Sequence, residues 1–263
     1  MSPFDPTPKT GARPLLAAHR GISSKAPENT LASFTLALNT PGIDMIELDV
    51  RLTKDEQVIV LHDRTLQRTS TGNGFARKYT LDEINKFDAG SWFSPVFSSE
   101  RIPTLRSVLQ LVGKSLWVNV EIKSDLFHKE PAGLLERRTL EVLEECEMKH
   151  AVLVSSFDHQ LVASIKRMAP EIKVGVLYNF FRDFGRLPSK LARRVDASAF
   201  ICGRQEVSQA MIDDAHNHSI AIYVYTLNSI HDAEKMLRLG VDGVLSDNAD
   251  EIVSHVKGHI PIN

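Results

Sequence analysis

Cross-linking residues are scarce. Cys146 and Cys202 are the only cysteines in 263 residues, too few for a disulfide framework. Both lie in apolar stretches and are expected as buried free thiols. Long hydrophobic runs are missing as well: the longest, Ile220–Tyr225, is far short of the ~20 residues a membrane-spanning helix needs. Excess charge is absent, since 31 Lys and Arg meet 33 Asp and Glu for a formal net charge of −2. That near-balance removes the usual electrostatic reason to propose a nucleic-acid partner. Residues 1–13 hold three prolines and no apolar core, so they do not read as a secretory signal, and a cytoplasmic protein is expected. No glycine-rich phosphate loop, dinucleotide fingerprint or H-E-x-x-H zinc motif occurs.

What the chain does contain is an ordinary globular mixture, 43% hydrophobic and 24% charged, at the length of one (β/α)₈ barrel. Short apolar runs alternate with amphipathic stretches. Strands are expected at Leu15–Ala18, Met45–Val50, Val58–Leu61, Trp117–Ile122, Val152–Ser155, Lys173–Leu177, Ala199–Cys202, Ala221–Tyr225 and Val241–Leu245. Pro27 suits the first position of a helix lined by Leu31, Phe34 and Leu38, and Thr104 suits the cap of one that Gly113 ends. Strand–helix alternation implies a parallel sheet, and at this length a closed barrel.

Nine strands are one too many for eight staves. Only seven residues, Arg51–Gln57, separate the second run from the third, too few for a parallel crossover. Val58–Leu61 must therefore fold back as an antiparallel hairpin strand, with paired positions summing to about 110 if the turn centres near Asp55. That register carries His62 back beside Glu47 and Asp49. Asp63–Pro103 then forms 41 residues of turn-rich insertion, expected to cap the site, with Trp92, Phe93 and Phe97 among its aromatics. The domain plan is an extension over 1–14, one barrel domain over 15–257 with 63–103 inserted, and a tail over 258–263.

In Met45–Val50 the period of two turns Ile46, Leu48 and Val50 one way and Glu47 and Asp49 the other. Trp117–Lys123 repeats the pattern, with Asn119, Glu121 and Lys123 facing inward. Acids enclosed in a barrel must be paired, protonated or bound to a cation. Oxygen ligands of this kind suit one Mg²⁺ or Ca²⁺. The alternative is a structural ion network in which Arg20, Lys123 and backbone amides satisfy the three carboxylates. His19 and His62 end their strands at the same rim, where imidazole suits proton transfer near neutral pH. Arg20 and Lys123 add positive charge, and the whole set suits a phosphoryl group.

The segments His19-Arg20-Gly21, Pro27-Glu28-Asn29-Thr30, Glu47-Leu48-Asp49, Leu61-His62-Asp63, Arg68–Gly74, Asn119–Lys123 and Gly240–Asp247 together resemble the glycerophosphodiester phosphodiesterase family. The resemblance runs in family order from about Leu15 to Asp247. It implies a (β/α)₈ barrel with a small inserted region, and hydrolysis of glycerophosphodiesters such as glycerophosphocholine or glycerophosphoethanolamine to glycerol 3-phosphate and an alcohol. It further implies a divalent cation on Glu47, Asp49 and Glu121, an acid–base pair of His19 and His62, and phosphate contacts from Arg20 and Lys123. His19 is expected as the base and His62 as the acid. Trp92, Phe157 and Tyr225 are expected to shape the substrate pocket. Two rivals stand beside this reading: a lysophospholipid-directed phosphodiesterase or phospholipase-like lyase on the same scaffold, and a non-catalytic phosphoester-binding protein.

Overall fold

A computed structural model describes residues 14–124 and 133–256. The expected tail over 258–263, and all but residue 14 of the expected N-terminal extension, lie outside these residues. The elements in order are β1 (Leu15–His19), α1 (Leu31–Leu38), β2 (Met45–Leu52), β3 (Val58–Val60), α2 (Leu81–Ile84), α3 (Leu105–Val112) and β4 (Trp117–Ile122). They continue as α4 (Leu134–Glu145), β5 (Val152–Ser156), α5 (His159–Met168), β6 (Lys173–Leu177), α6 (Phe180–Asp183) and α7 (Pro188–Ala192). The last are β7 (Ala199–Gly203), α8 (Gln209–Asn217), β8 (Ala221–Tyr225), α9 (Ile230–Leu239), β9 (Gly243–Ser246) and α10 (Ala249–Val256).

Eight of the strands pair in parallel and close on themselves through β1, which bonds both β2 and β9. The ninth, β3, pairs antiparallel with β2 alone, at Val50↔Val60, Arg51↔Ile59 and Leu52↔Val58. Each pair sums to 110, so the turn sits where the seven-residue spacing required it. The alternation of each stave sorts its side chains onto two surfaces. Ile46, Leu48, Val50, Val118, Val120 and Ile122 join the large core between barrel and helices. Leu15, Met45, Trp117, Leu153 and Tyr223 fill the interior below the acids.

Most boundaries follow local chemistry. Thr104 caps α3 by accepting from the Ser107 amide, and Gly113 ends it at a positive φ of 54°. At α1 the sequence reading needs correcting. Thr30 is the N-cap, bonded reciprocally with Ser33, and Pro27 lies before the helix with its carbonyl taken by the Thr30 hydroxyl at 2.7 Å. Leu31 is exposed, while Ser33, Phe34 and Ala37 make the buried face. The last strand begins two residues late, because Gly240 leaves α9 in the left-handed region and pairing with β1 starts only at Gly243. Cys202 is buried as expected, but Cys146 is only partly so.

The insertion folds around the hairpin on a core of its own. Leu66, Ala76, Ile84, Ala89 and Ile102 pack with Ile59 and Leu61 of the hairpin. Its return passes along the outer edge of β3, where the Val60 amide donates to the Pro103 carbonyl at 2.8 Å.

Candidate active site

Register brings the acids together. Glu47 stands beside Asn119 and Asp49 beside Glu121 across β2 and β4, and His19 stands beside Glu47 across β1 and β2. Glu47, Asp49 and Glu121 are buried, and one oxygen from each can be chosen so that all three lie within 4.8 Å of one another. Lys123 Nζ reaches Glu121 Oε1 at 2.5 Å and Asp49 Oδ1 at 2.8 Å. Arg20 Nε lies 3.2 Å from Asp49 Oδ2, and its backbone amide donates to Glu47 Oε2 at 3.1 Å. Asn29 donates to Asp49 Oδ2 at 2.8 Å.

The ion network allowed by the sequence is therefore present, but it is incomplete. Two cations face three carboxylates. Burial pushes Asp49 up, yet Lys123 and Arg20 outweigh it and leave the group well below the carboxylate range. Glu47 goes the other way, pushed up to about 8 by burial and then by the charge of Asp49. Burial raises Glu121 also. Asp49 Oδ1 is buried, and the group beside it is Lys123 Nζ at 2.8 Å, which Asp49 shares with Glu121. An incompletely neutralised, oxygen-only donor set whose atoms converge within 4.8 Å fits a hard divalent cation.

Both histidines are held at Nδ1 by a carboxylate. His19 Nδ1 lies 2.7 Å from Asp247 Oδ1, and His62 Nδ1 lies 2.6 Å from Asp63 Oδ1. This fixes each ring and leaves Nε2 as the atom for proton exchange. Asp247 also accepts from Ser23 Oγ and Asn228 Nδ2. Burial raises both aspartates, but the hydrogen bonds they accept prevail, and each ends at about 2: Arg68 and His62 hold down Asp63, and His19 holds down Asp247. Burial lowers His19, but Asp247 and Glu47 reverse it and leave a net rise. In His62 burial wins and the pKa falls.

Arg68 of the insertion joins the two sides. It donates to both oxygens of Glu28 at 2.7 and 2.8 Å and from Nε to Asp63 at 2.6 Å, while Glu28 accepts from Arg20 at 2.9 Å. The turn after β1 that makes this possible needs Gly21. Its φ is +81°, and a Cβ there would lie 2.5 Å from Ser33 Oγ.

A cavity of about 200 Å³ at this end of the barrel is lined by His19, Arg20, Glu47, His62, Asn119, Glu121, Lys123, Phe157, Leu177, Ile201, Tyr225 and Leu245. Phe157 and Tyr225 meet edge to face in its lining, with centroids 6.4 Å apart. Asp49 lies beneath, buried at 1% exposure. Trp92 does not reach the lining. Its ring turns onto Phe93, its Nε1 donates to the Ala89 carbonyl, and no residue of the insertion lines this cavity. The insertion instead supplies Thr69, Ala89 and Ile102 to a narrow cleft beside His62.

Sequence reasoning assigned no role to Asp63, Asp247, Glu28, Asn29 or Arg68. Asp247 was open to discovery, because a carboxylate just past the C-terminal end of a barrel strand sits where barrel enzymes keep their chemistry. Arg68 gave no such signal, since its partners come from two other segments.

The sequence profile of the glycerophosphoryl diester phosphodiesterase family matches residues 19–251. The chain is 37% identical over 245 residues to a glycerophosphodiester phosphodiesterase of Caldanaerobacter subterraneus, covering 92% of this chain and 98% of that one. It is 34% identical to a glycerophosphodiester phosphodiesterase of Bacillus altitudinis, with 90% and 95% covered. Among solved structures, it superposes with a TM-score of 0.82 at 30% identity on a phosphodiesterase of Oleispira antarctica in complex with the product sn-glycerol-3-phosphate. That match covers 93% of this chain and 97% of the other. No helix among the described residues is long and apolar enough to cross a membrane.

Proposed function

Since the chain belongs to the glycerophosphoryl diester phosphodiesterase family and shares its phosphodiesterase activity, we propose that it hydrolyses glycerophosphodiesters with one divalent cation and a pair of histidines. Its substrates are diesters such as glycerophosphocholine and glycerophosphoethanolamine, and its products are glycerol 3-phosphate and an alcohol. The observation that carries this reading is the under-neutralised triad Glu47, Asp49 and Glu121 at the foot of a cavity that both carboxylate-held histidines enter.

Glu47, Asp49 and Glu121 hold the cation, either Mg²⁺ or Ca²⁺. When bound, it neutralises charge on the phosphoryl oxygens and acidifies an attacking hydroxyl or water. Arg20 and Lys123 complete the positive face that receives the phosphate. His19, as base, takes the proton of the attacking group at Nε2, and His62, as acid, gives one to the departing alcohol oxygen. Asp247 and Asp63 hold the two rings so that Nε2 is the exchanging atom. Phe157 and Tyr225 form the apolar wall against which the non-reacting part of the substrate rests.

The test is glycerol 3-phosphate release from both diesters by metal-stripped protein, before and after Mg²⁺ or Ca²⁺ is restored. Release that depends on restored metal, and that Glu47→Gln shifts to higher metal concentration while the barrel stays folded, supports the reading. Unfolding of Glu47→Gln with no metal dependence in the wild type returns the triad to a structural network. No release under any metal moves the substrate to lysophospholipids, or the protein to binding alone.

A further inference from the structure

The loop after β6 carries a patch that phosphodiester chemistry does not use. Tyr178 turns inward and packs on Phe200, with ring centroids 5.7 Å apart. The next residues face solvent: Phe181 is 95% exposed, Phe184 72% and Phe180 49%. Their rings gather on one another, with 5.1 Å between Phe180 and Phe184 and 5.8 Å between Phe180 and Phe181. An exposed aromatic cluster of this kind is costly in water unless something covers it.

The patch is held in place. Asn179 caps α6 by accepting from the Arg182 amide, and its own amide donates to Asp183 Oδ2 at 3.1 Å. Arg182 donates from Nη2 to the carbonyl of Phe157, whose ring lines the catalytic cavity. The rings are thus anchored at the mouth of the barrel.

Charge frames them. Between Tyr178 and Lys190 the basic residues are Arg182, Arg186 and Lys190, and all three are exposed. Asp183 is the sole acid of that stretch, and its side chain is 1% exposed beneath the two arginines, at 3.7 and 3.4 Å. The outward face therefore shows apolar rings and cations with no exposed carboxylate from the same segment. That composition matches a lipid headgroup layer, in which rings enter the acyl boundary and cations meet phosphate. A second copy of the chain is a poorer fit. Three partly exposed rings offer about 400 Å², half of what each partner brings to a stable dimer.

We propose that Phe180, Phe181 and Phe184, framed by Arg182 and Arg186, dock the protein on an anionic phospholipid membrane, with the mouth of the catalytic cavity against the headgroup layer. This goes beyond turnover and does not depend on it, because the docking residues lie outside the cavity lining.

The experiment is co-sedimentation of the purified protein with vesicles of equal parts phosphatidylcholine and phosphatidylglycerol, and with vesicles of phosphatidylcholine alone. The expected result is binding to the anionic vesicles that weakens as salt is raised. The double variant Phe181→Ser, Phe184→Ser should bind about tenfold more weakly, keeping the wild-type thermal midpoint and the wild-type rate on soluble glycerophosphocholine. Wild-type protein that stays in the supernatant overturns the proposal, and so does a double variant that sediments as the wild type does. A variant that turns a wild-type dimer into a monomer while vesicle binding is unchanged assigns the patch to contact between copies, and also overturns it.

Discussion

The two sides of the catalytic mouth reach the same local geometry by different routes. On one side His19 ends β1 and meets Asp247 from beyond β9, 228 residues away, because closure of the barrel sets those strands side by side. On the other, His62 meets its immediate neighbour Asp63 on a hairpin that is not a stave. The first pair inherits the rigidity of the sheet and is the more enclosed, with the His19 side chain 16% exposed against 34% for His62. The second depends on a small hydrophobic core in the insertion and on the Arg68 clamp to Glu28. A hydrogen-bonded imidazole can thus be supplied by tertiary closure or by adjacency, and the two should fail in different ways.

The largest effects come from removing either ring. His19→Ala and His62→Ala should each lower kcat by about 10²–10⁴-fold in a folded protein, read by steady-state glycerol 3-phosphate release. Unchanged turnover in one of them would leave a single-histidine mechanism. Next come the holding carboxylates. Asp247→Asn should cost about 10–100-fold in kcat, and Asp63→Asn less, because Asp247 also gathers Ser23 and Asn228 while Asp63 keeps a partly exposed ring. Equal losses would erase the distinction between the two routes.

A subtler separation comes from the insertion core. Leu66 is fully buried there, and Leu66→Ala should cost about 2–5 kcal/mol of stability. Hydrogen exchange should speed up around Ile59–Leu61 and leave the amides of β1 and β9 protected. Uniform loss of protection would mean that insertion and barrel unfold as one unit.

The smallest effect is in proton affinity of the metal-free protein. His19 is raised above the usual imidazole value of 6.5, so its contribution to stability is full below that value and fades as pH rises through its folded pKa. His62 is lowered, so its contribution is full above 6.5 and fades as pH falls through its folded pKa. Ring-proton NMR titration should place His19 above His62. Asp247→Asn should bring His19 down and leave His62 where it was. Coincident midpoints in the wild type would remove the electrostatic part of the comparison.

How much of this was legible in the chain follows from the same contrast. Strand period sets which side chains face inward, so Glu47, Asp49, Glu121 and Lys123 could be placed on one surface from Met45–Val50 and Trp117–Lys123. Spacing made β3 an antiparallel return, and the Val50↔Val60 register follows from it. Through-space partners were hidden. Nothing near His19 in sequence announces Asp247, and Arg68 bonds residues 40 and 5 positions away. Trp92 was misplaced because an aromatic in a turn-rich stretch carries no period, so its direction is undetermined until Ala89 and Phe93 are known as its partners. At α1 the proline at position 27 competed with the reciprocal Thr30–Ser33 cap, and the cap prevailed.

The insertion leaves the barrel at Asp63 and comes back at Pro103, and both ends lie along the one short strand β3. Such a closed excursion behaves as a cassette. Its length can change by several residues while the endpoints stay where β3 fixes them, and the entropic cost of a longer loop grows only slowly. The return along Pro103 and Thr104 also covers an edge that would otherwise offer the apolar run Val58–Val60 to another chain. The barrel is therefore preadapted to exchange this segment for another without exposing a sticky strand, provided that the replacement keeps a cover over that edge.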